Sequence, residues 1–152
     1  MTLRIYLDTS VFSAYLDARA PERMESTREF WARLGQFEPH ASALVAEELS
    51  FTPDAGRRAA LETLYRPIAE LPVSNAARQL AQSYLSLGAF SEAQRFDALH
   101  VATAVLGRMD VLVSWNFRHL VNRRRRGLLA AHHAALDLPV LEILSPPELL
   151  GD

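Results

Sequence analysis

Three acidic positions in this chain have the residue type and the placement to do chemistry. Asp8 ends the first apolar run, Glu47 and Glu48 lie inside an apolar segment, and Asp97 precedes a long apolar run. Carboxylates that converge on one point repel one another, and a hard cation between them relieves the repulsion. Mg²⁺ or Mn²⁺ is the natural occupant, because such an ion activates water and holds phosphate. A cluster of this kind would support metal-dependent phosphodiester chemistry.

Each acid also has an ordinary structural interpretation. Asp8, Thr9 or Ser10 could simply cap the helix that begins there, and Asp97 could balance the dipole of its own helix. One of the two glutamates is expected to be solvated surface. No spacing rule makes the three positions converge, so both interpretations of Asp8 remain open at this point.

The elements that must position these acids alternate along the chain. Short strands are expected at residues 1–7, 37–42, 68–73, 111–113 and 140–144, the third of them at a sheet edge because of Pro72. Helices are expected between them, including one from Pro21 that ends at Gly35 and one that starts at Asn116. This alternation predicts an α/β fold with a parallel sheet and helices on both faces. Without a repeat or a linker, residues 1–152 are expected to form a single domain.

The composition excludes several classes of site and of protein. The chain has 152 residues, 49% of them hydrophobic, no Cys and a net charge of −2. The lack of Cys excludes disulfides, thiolate metal sites and cysteine nucleophiles. No apolar run is long enough to span a bilayer, and the first residues have no signal pattern. A cytoplasmic protein without a membrane partner is therefore expected.

Four short motifs in order give the chain a resemblance to a known family. They are Leu7-Asp8-Thr9-Ser10-Val11, Val45-Ala46-Glu47-Glu48-Leu49, Asp97-Ala98-Leu99-His100-Val101-Ala102 and Val111-Leu112-Val113-Ser114-Trp115-Asn116-Phe117. In order and spacing they resemble PIN-domain ribonucleases, in particular VapC-type toxins of bacterial type II toxin–antitoxin systems. The resemblance extends from Arg4 to about Leu144 and implies a three-layer sandwich with a central sheet of four or five parallel strands.

The resemblance also implies roles for individual residues. Asp8, Glu48 and Asp97 match the metal-binding acids, and Glu48 matches the family's glutamate better than Glu47 does. Thr9 or Ser10 matches the hydroxyl that supports the first aspartate. Asn116 aligns with a fourth position that is Asp or Asn in relatives. The ion implied is Mg²⁺ or Mn²⁺.

The chain departs from the family near that fourth position. Many relatives carry a further Asp where this chain has His119 and Leu120. The pocket is therefore expected to hold three carboxylates, and both one-metal and two-metal action stay open. His119 could replace the missing acid as a phosphate contact or a proton donor, although a surface histidine usually has no such role. His100, in an apolar helix, is expected to be a hydrogen-bonded core residue.

Positive charge is concentrated just after this position. The cluster consists of Arg118, Arg123, Arg124, Arg125 and Arg126. Four consecutive arginines on a helix point all round it, so some of them must be plain surface. Because an acidic pocket repels a phosphate backbone, positive charge beside it favours RNA contact, with Thr9 as a further RNA-binding candidate. An acidic antitoxin segment would be attracted to the same surface. Trp115 could stack a base, but core or interface is the commoner role.

These observations favour a metal-dependent endoribonuclease toxin that is neutralised by a cognate antitoxin. The alternative is a catalytically weak or inactive PIN-like domain that binds RNA or protein. A phosphotransfer enzyme with Asp8 as nucleophile is disfavoured, because such enzymes need a second Asp where this chain has Ser10. A homodimer is implied by the resemblance, and apolar side chains expected to be exposed include Phe12, Tyr15, Phe30 and Trp31.

Overall fold

The computed structural model of the chain describes residues 1–151. In this range the strands are β1 (Arg4–Leu7), β2 (Glu38–Ser42), β3 (Ala69–Leu71), β4 (Val111–Val113) and β5 (Glu142–Leu144). The α-helices are α1 (Thr9–Ser13), α2 (Pro21–Ala32), α3 (Ala43–Ser50), α4 (Ala55–Tyr65), α5 (Asn75–Leu87), α6 (Arg95–Leu106), α7 (Arg123–Ala135) and α8 (Pro146–Leu150). Short 3₁₀ turns cover Ala14–Leu16, Leu34–Gln36 and Glu92–Gln94.

The five strands form one parallel sheet in the order β3-β2-β1-β4-β5. In the central strand, Ile5, Tyr6 and Leu7 are all fully buried. Since consecutive side chains in a strand point to opposite faces, both faces of the sheet must be covered. The predicted α/β sandwich with a parallel sheet is therefore confirmed, and the sheet has the larger of the two expected strand numbers.

The strand order creates a natural binding position. After β1, the chain forms β2 on one side of this strand, and it later forms β4 on the other side of β1. Ligands of open parallel sheets bind at such a reversal, beyond the carboxyl ends of the strands. Leu7 pairs with Val113, so the residues that follow them, Asp8 and Ser114, emerge next to each other.

Side-chain caps set the starts of several helices. Asp54 accepts a hydrogen bond from the amide of Arg57, and Ser74 accepts one from Ala77. Of the three candidate caps of α1, Thr9 and Ser10 do not have this role. Asp8 is the cap, because it is still extended (φ −79°, ψ 172°) when its carboxylate accepts from the Ser10 amide.

Two helix boundaries also differ from the predictions. The helix from Pro21 ends at Ala32, and a 3₁₀ turn that includes Gly35 follows, so Gly35 is not its cap. The helix expected from Asn116 begins only at Arg123. The amide oxygen of Asn116 instead accepts from the backbone N–H of His119 and closes a turn.

Two aromatic residues that were expected to be exposed lie in the core. Phe12 and Phe30 have no exposed surface, whereas Tyr15 and Trp31 are half-buried. Phe12 meets Trp31 edge to face at 5.3 Å between ring centroids. These residues cover the inner side of α1 and α2, so Phe12 and Phe30 cannot form a dimer surface. Within residues 1–151, no helix has the length and apolarity needed to cross a membrane.

Candidate active site

Asp8 lies at the centre of the site and is 4% exposed. Its Oδ1 accepts from the amide and the hydroxyl of Ser10, at 2.9 and 2.5 Å. Its Oδ2 accepts from the Ser114 hydroxyl at 2.7 Å. Ser10 therefore supplies the hydroxyl that supports the first aspartate, and the carboxylate is fixed in one orientation by groups from two strand ends.

The environment of Asp8 favours its neutral form. Burial raises the pKa of this carboxyl, while the nearby His100 and the hydrogen bonds from Ser10 and Ser114 oppose the shift. A buried carboxylate of this kind gains more than a solvated one from a cation, because little water competes for its charge. The buried Asp8 carboxylate is therefore suited to bind a cation as well as to cap α1.

Glu48, on α3, is held beside Asp8 by two donors. Its Oε1 accepts from the Thr9 hydroxyl at 3.0 Å and lies 2.6 Å from Nε2 of His100. Thr9 is the residue directly after Asp8, so this contact ties the two acids together. Glu47, in contrast, is exposed. Of the two adjacent glutamates, the geometry favours Glu48.

A buried hydrogen-bonded chain orients Glu48 from behind. His100 is 2% exposed, and its Nδ1 lies 2.7 Å from the Tyr6 hydroxyl, which lies 2.8 Å from the Ser42 hydroxyl. An ionised carboxylate only accepts, so His100 donates from Nε2 to Glu48, and its Nδ1 hydrogen-bonds the Tyr6 hydroxyl. Burial raises the pKa of Tyr6, which keeps this phenol a donor. His100 is the predicted hydrogen-bonded core residue, with the added role of positioning Glu48.

Asp97 lies in the first turn of α6, three residues before His100, so both face the same side of the helix. Its Oδ2 lies 3.0 Å from Nδ1 of His119. Arg125 donates to the backbone oxygen of His119 at 2.7 Å. Burial lowers the pKa of the Arg125 guanidinium, and the negative charge of Asp97 opposes that shift. His119 and Arg125 thus occupy the corner where the resemblance implied a further acid.

Asn116 lies at the edge of the site. Its backbone N–H donates to the Ser114 hydroxyl at 2.9 Å, and its side-chain oxygen accepts from His119. It therefore connects the serine that binds Asp8 to the histidine that contacts Asp97. The contacts of Asn116 identify it as a residue that shapes the loop between these two corners.

The arginine cluster divides into two groups. Arg125 contacts His119 and lies over the ring of Phe90 at 4.5 Å, and Arg126 pairs with Glu148 at 3.2 Å. Arg118, Arg123 and Arg124 are exposed and have no ion-pair or hydrogen-bonding side-chain partner within residues 1–151. The last four of the five begin α7, where the helix dipole already provides positive potential.

The donors fit a hard cation in chemistry. All three acids offer carboxylate oxygens, and Glu48 Oε2 and Asp97 Oδ1 accept no hydrogen bond in the described part of the chain. Such oxygens suit Mg²⁺ or Mn²⁺. Within residues 1–151, no three Asp, Glu or His side chains lie close enough together to share one ion as they stand. The structure thus connects the acids through Thr9 and His100 without defining a coordination sphere.

Two site residues were missed by sequence reasoning. Ser114 follows β4 as Asp8 follows β1, and the pairing of adjacent parallel strands could have indicated their contact. The contact of His100 with Glu48 had a weaker signal, namely its spacing of three from Asp97 on one helix face. Neither signal was sufficient without knowledge of which strands are neighbours.

A parallel sheet with the buried Asp8 directly after β1, next to the end of β4, defines an α/β protein with its candidate site at the strand-order reversal. The model of the PIN domain family matches residues 5–120. The chain belongs to the PIN domain family. No curated protein sequence matches it.

Solved structures with the same fold include toxins and toxin–antitoxin complexes. The Mycobacterium tuberculosis toxin VapC20, described as cleaving the sarcin–ricin loop, matches with a TM-score of 0.57 at 17% identity, over 76% of this chain and 92% of its own. VapBC2 from Rickettsia felis, bound to a promoter DNA fragment, matches with a TM-score of 0.58 at 13% identity, over 93% of this chain and 98% of its own. DNA-bound VapBC from Salmonella typhimurium matches with a TM-score of 0.54 at 14% identity, over 95% of this chain and 99% of its own. At these identities the likeness shows the fold.

Proposed function

We propose that this chain is a metal-dependent endoribonuclease toxin that acts as a single PIN domain over residues 1–152. The observation that carries the proposal is the connection of Asp8, through Thr9, to Glu48, and of Glu48 to His100 on the helix that carries Asp97. Family membership and the fold shared with VapC20 support a nuclease.

In the proposed mechanism, Asp8, Glu48 and Asp97 would hold Mg²⁺ or Mn²⁺. When bound, the ion supplies a water of lowered pKa and screens the phosphate charge. Ser10 and Ser114 keep the Asp8 carboxylate in position, as their hydrogen bonds indicate. The Asp8 carboxylate is therefore already oriented before the ion or the substrate arrives.

Other residues of the site would act on the RNA. Arg118, Arg123 and Arg124 attract the phosphate backbone past the acidic pocket, because their charges are not neutralised by neighbours in the described range. Thr9 and Asn116 orient Glu48 and the loop that faces the substrate. His119 stands beside Asp97, within reach of a phosphate contact.

An antitoxin partner belongs to the proposal as well. The Rickettsia and Salmonella neighbours are VapBC complexes. In this chain, the exposed arginines offer a surface for an acidic antitoxin segment. A cytoplasmic homodimer is the form that we propose for the free toxin.

The decisive experiment compares Asp8→Asn and Asp97→Asn with Asp54→Asn. Asparagine is as good a helix cap as aspartate, so Asp8→Asn removes the carboxylate charge and keeps the cap. RNA cleavage in a Mg²⁺ or Mn²⁺ titration should fall at least about 100-fold in the two site variants. Asp54→Asn, a cap replacement on α4, should cleave like the parent.

Two results would contradict the proposal. Parental cleavage by either site variant would show that the carboxylates do not carry the reaction. Calorimetry that detects no uptake of Mg²⁺ or Mn²⁺, together with no cleavage by the parent, would instead favour an inactive PIN-like binding domain.

A further inference from the structure

A cleft of about 680 Å³ opens where α2 begins. Its walls are formed by Ala20, Pro21, Glu22, Arg23, Ser26 and Trp115. Trp115 links it to the site, because its backbone N–H donates to the Ser10 hydroxyl that also holds Asp8. Small-ligand sites have volumes of roughly 300–1,000 Å³, so a nucleotide is a fitting occupant.

One exposed arginine dominates the chemistry of this cleft. The guanidinium carbon of Arg23 lies 5.1 Å from the ring centroid of Trp115 and 5.7 Å from that of Phe117. Within residues 1–151, no carboxylate pairs with this guanidinium. Arg23 therefore presents a planar cation that is held by aromatic rings and keeps its full charge.

The framework around Arg23 is rigid. Trp115 is 9% exposed, and its indole N–H donates to the Thr27 hydroxyl at 2.8 Å. The same hydroxyl donates to the backbone oxygen of Arg23 at 2.6 Å. The tryptophan is thus largely buried, as its commoner role suggested, and forms the floor of the cleft. Phe117 does not line the cleft, but it contacts Trp115 and Arg23 beside it and is 47% exposed, so it offers an open aromatic surface there.

We propose that the cleft is a nucleotide subsite for the RNA strand beside the cleaved bond. Arg23 contacts the phosphate or stacks on the base, Phe117 adds an aromatic face, and Glu22 accepts hydrogen bonds from base amino groups. Stacking on aromatic rings and on arginine planes is how proteins hold unpaired RNA bases. This subsite rests on the proposed function, because it assumes that RNA is the substrate.

A nucleotide fits these features better than an acidic protein segment does. A carboxylate would use the charge of Arg23 but would gain nothing from the exposed ring of Phe117. Glu22, in the same wall, would repel an acidic segment, whereas a base can donate to it. One nucleotide has both matching groups side by side, a charged phosphate and a flat base.

The test measures RNA binding in EDTA, where cleavage cannot interfere. Fluorescence anisotropy with a labelled single-stranded RNA of about ten nucleotides compares the parent with Arg23→Gln and Phe117→Leu. We expect affinity to fall roughly tenfold in each. The slope of log affinity against log salt should drop by about 0.7 for Arg23→Gln and stay unchanged for Phe117→Leu.

Arg28→Gln is the matched control. Arg28 is also exposed on α2 and also lies over an aromatic ring, that of Tyr15 at 5.0 Å, but it is outside the cleft. We expect Arg28→Gln to bind RNA within about twofold of the parent, since it loses charge at a position that does not touch a base.

A second measurement identifies the ligand class. The chain has two tryptophans, so a Trp31→Phe variant reports Trp115 fluorescence alone. Nucleoside monophosphates should change this signal, whereas inorganic phosphate at the same concentration should not. An equal response to both would show a simple anion site and overturn the nucleotide assignment.

The outcomes separate this subsite from the proposed function. If the parent cleaves RNA while Arg23→Gln and Phe117→Leu bind RNA like the parent, the subsite is wrong and the nuclease stands. If RNA binds through the cleft but is never cut, the subsite stands and the proposed nuclease function is wrong. A parent that binds no single-stranded RNA overturns the subsite outright.

Discussion

At the scale of single residues, the site depends on which carboxylates are held and which are merely close in sequence. Glu47 and Glu48 are neighbours on α3, yet only Glu48 is fixed by Thr9 and His100. A side chain held in advance loses little rotamer entropy when it binds a ligand. Thr9 and His100 would therefore favour binding of a ligand by Glu48.

The two glutamates provide a prediction with its own control. We expect Glu48→Gln to lower RNA cleavage at least about 100-fold, because the charge that would bind metal is lost. Glu47→Gln removes the same charge from an exposed side chain and should keep at least half of the parental rate. Initial rates at saturating Mg²⁺ would measure both. Equal losses would contradict the assignment of Glu48.

Residue types and their placement indicated Asp8, the pair Glu47 and Glu48, and Asp97 as candidates, and the family resemblance favoured Glu48, but neither described their surroundings. The acids could be selected because each interrupts or borders an apolar run. Their partners could not, because Ser114 and His100 reach the site through strand pairing and helix packing over 106 and 52 residues of chain. Contacts of that range depend on the topology.

At the scale of elements, periodicity predicted the strands better than the helix boundaries. The short apolar runs that became β1 and β4 are fully or almost fully buried, so their hydrophobicity left little choice. The segment after β4 was predicted as helix but forms turns up to residue 121. There, the side chain of Asn116 competes successfully for the backbone N–H of His119.

The packing of α5 against α7 depends on a buried histidine. The hydroxyl of Tyr84 lies 2.6 Å from Nε2 of His133, which is 3% exposed. Burial, together with the neighbouring His132, lowers the pKa of His133 from 6.5 to about 4. Burial raises the pKa of Tyr84, so the phenol donates and the neutral imidazole accepts.

This pair predicts a pH dependence of stability. Between about pH 6.5 and 4, the unfolded state binds a proton at His133 and the folded state does not, so the free energy of unfolding falls as the pH falls. We expect a loss of about 3 kcal/mol over this window. Urea unfolding at several pH values would measure it.

Two variants separate this effect from other acid titrations. His133→Gln should flatten the pH profile within the window, because the titrating group is gone. Tyr84→Phe should lower stability by about 1 kcal/mol at neutral pH and keep the slope, because His133 remains buried. An unchanged slope in His133→Gln would contradict the assignment.

At the scale of the whole molecule, the distribution of charge matters more than its sum. The net charge is −2, yet four arginines begin α7. Positive side chains at a helix N-terminus oppose the helix dipole, so this arrangement costs stability and needs another reason. Attraction of a polyanion past the acidic pocket is such a reason.

Arginines at the amino ends of the strands provide a control for the attraction of a polyanion by the arginines of α7. Arg66 and Arg108 are exposed and precede β3 and β4, whereas Arg123 and Arg124 follow the carboxyl end of β4. Replacing either pair by Gln changes the net charge equally. If only total charge mattered, both double variants would bind RNA alike.

We expect the two double variants to differ. Arg123→Gln with Arg124→Gln should reduce the salt slope of single-stranded RNA binding by about 1.4, since two phosphate contacts are lost. It should also raise the thermal midpoint slightly, because repulsion from the helix dipole is relieved. Arg66→Gln with Arg108→Gln should leave the slope nearly parental. Weaker binding with no change in slope would mean that these arginines act on the fold rather than on the phosphates, and their place at the start of α7 would then need a different explanation.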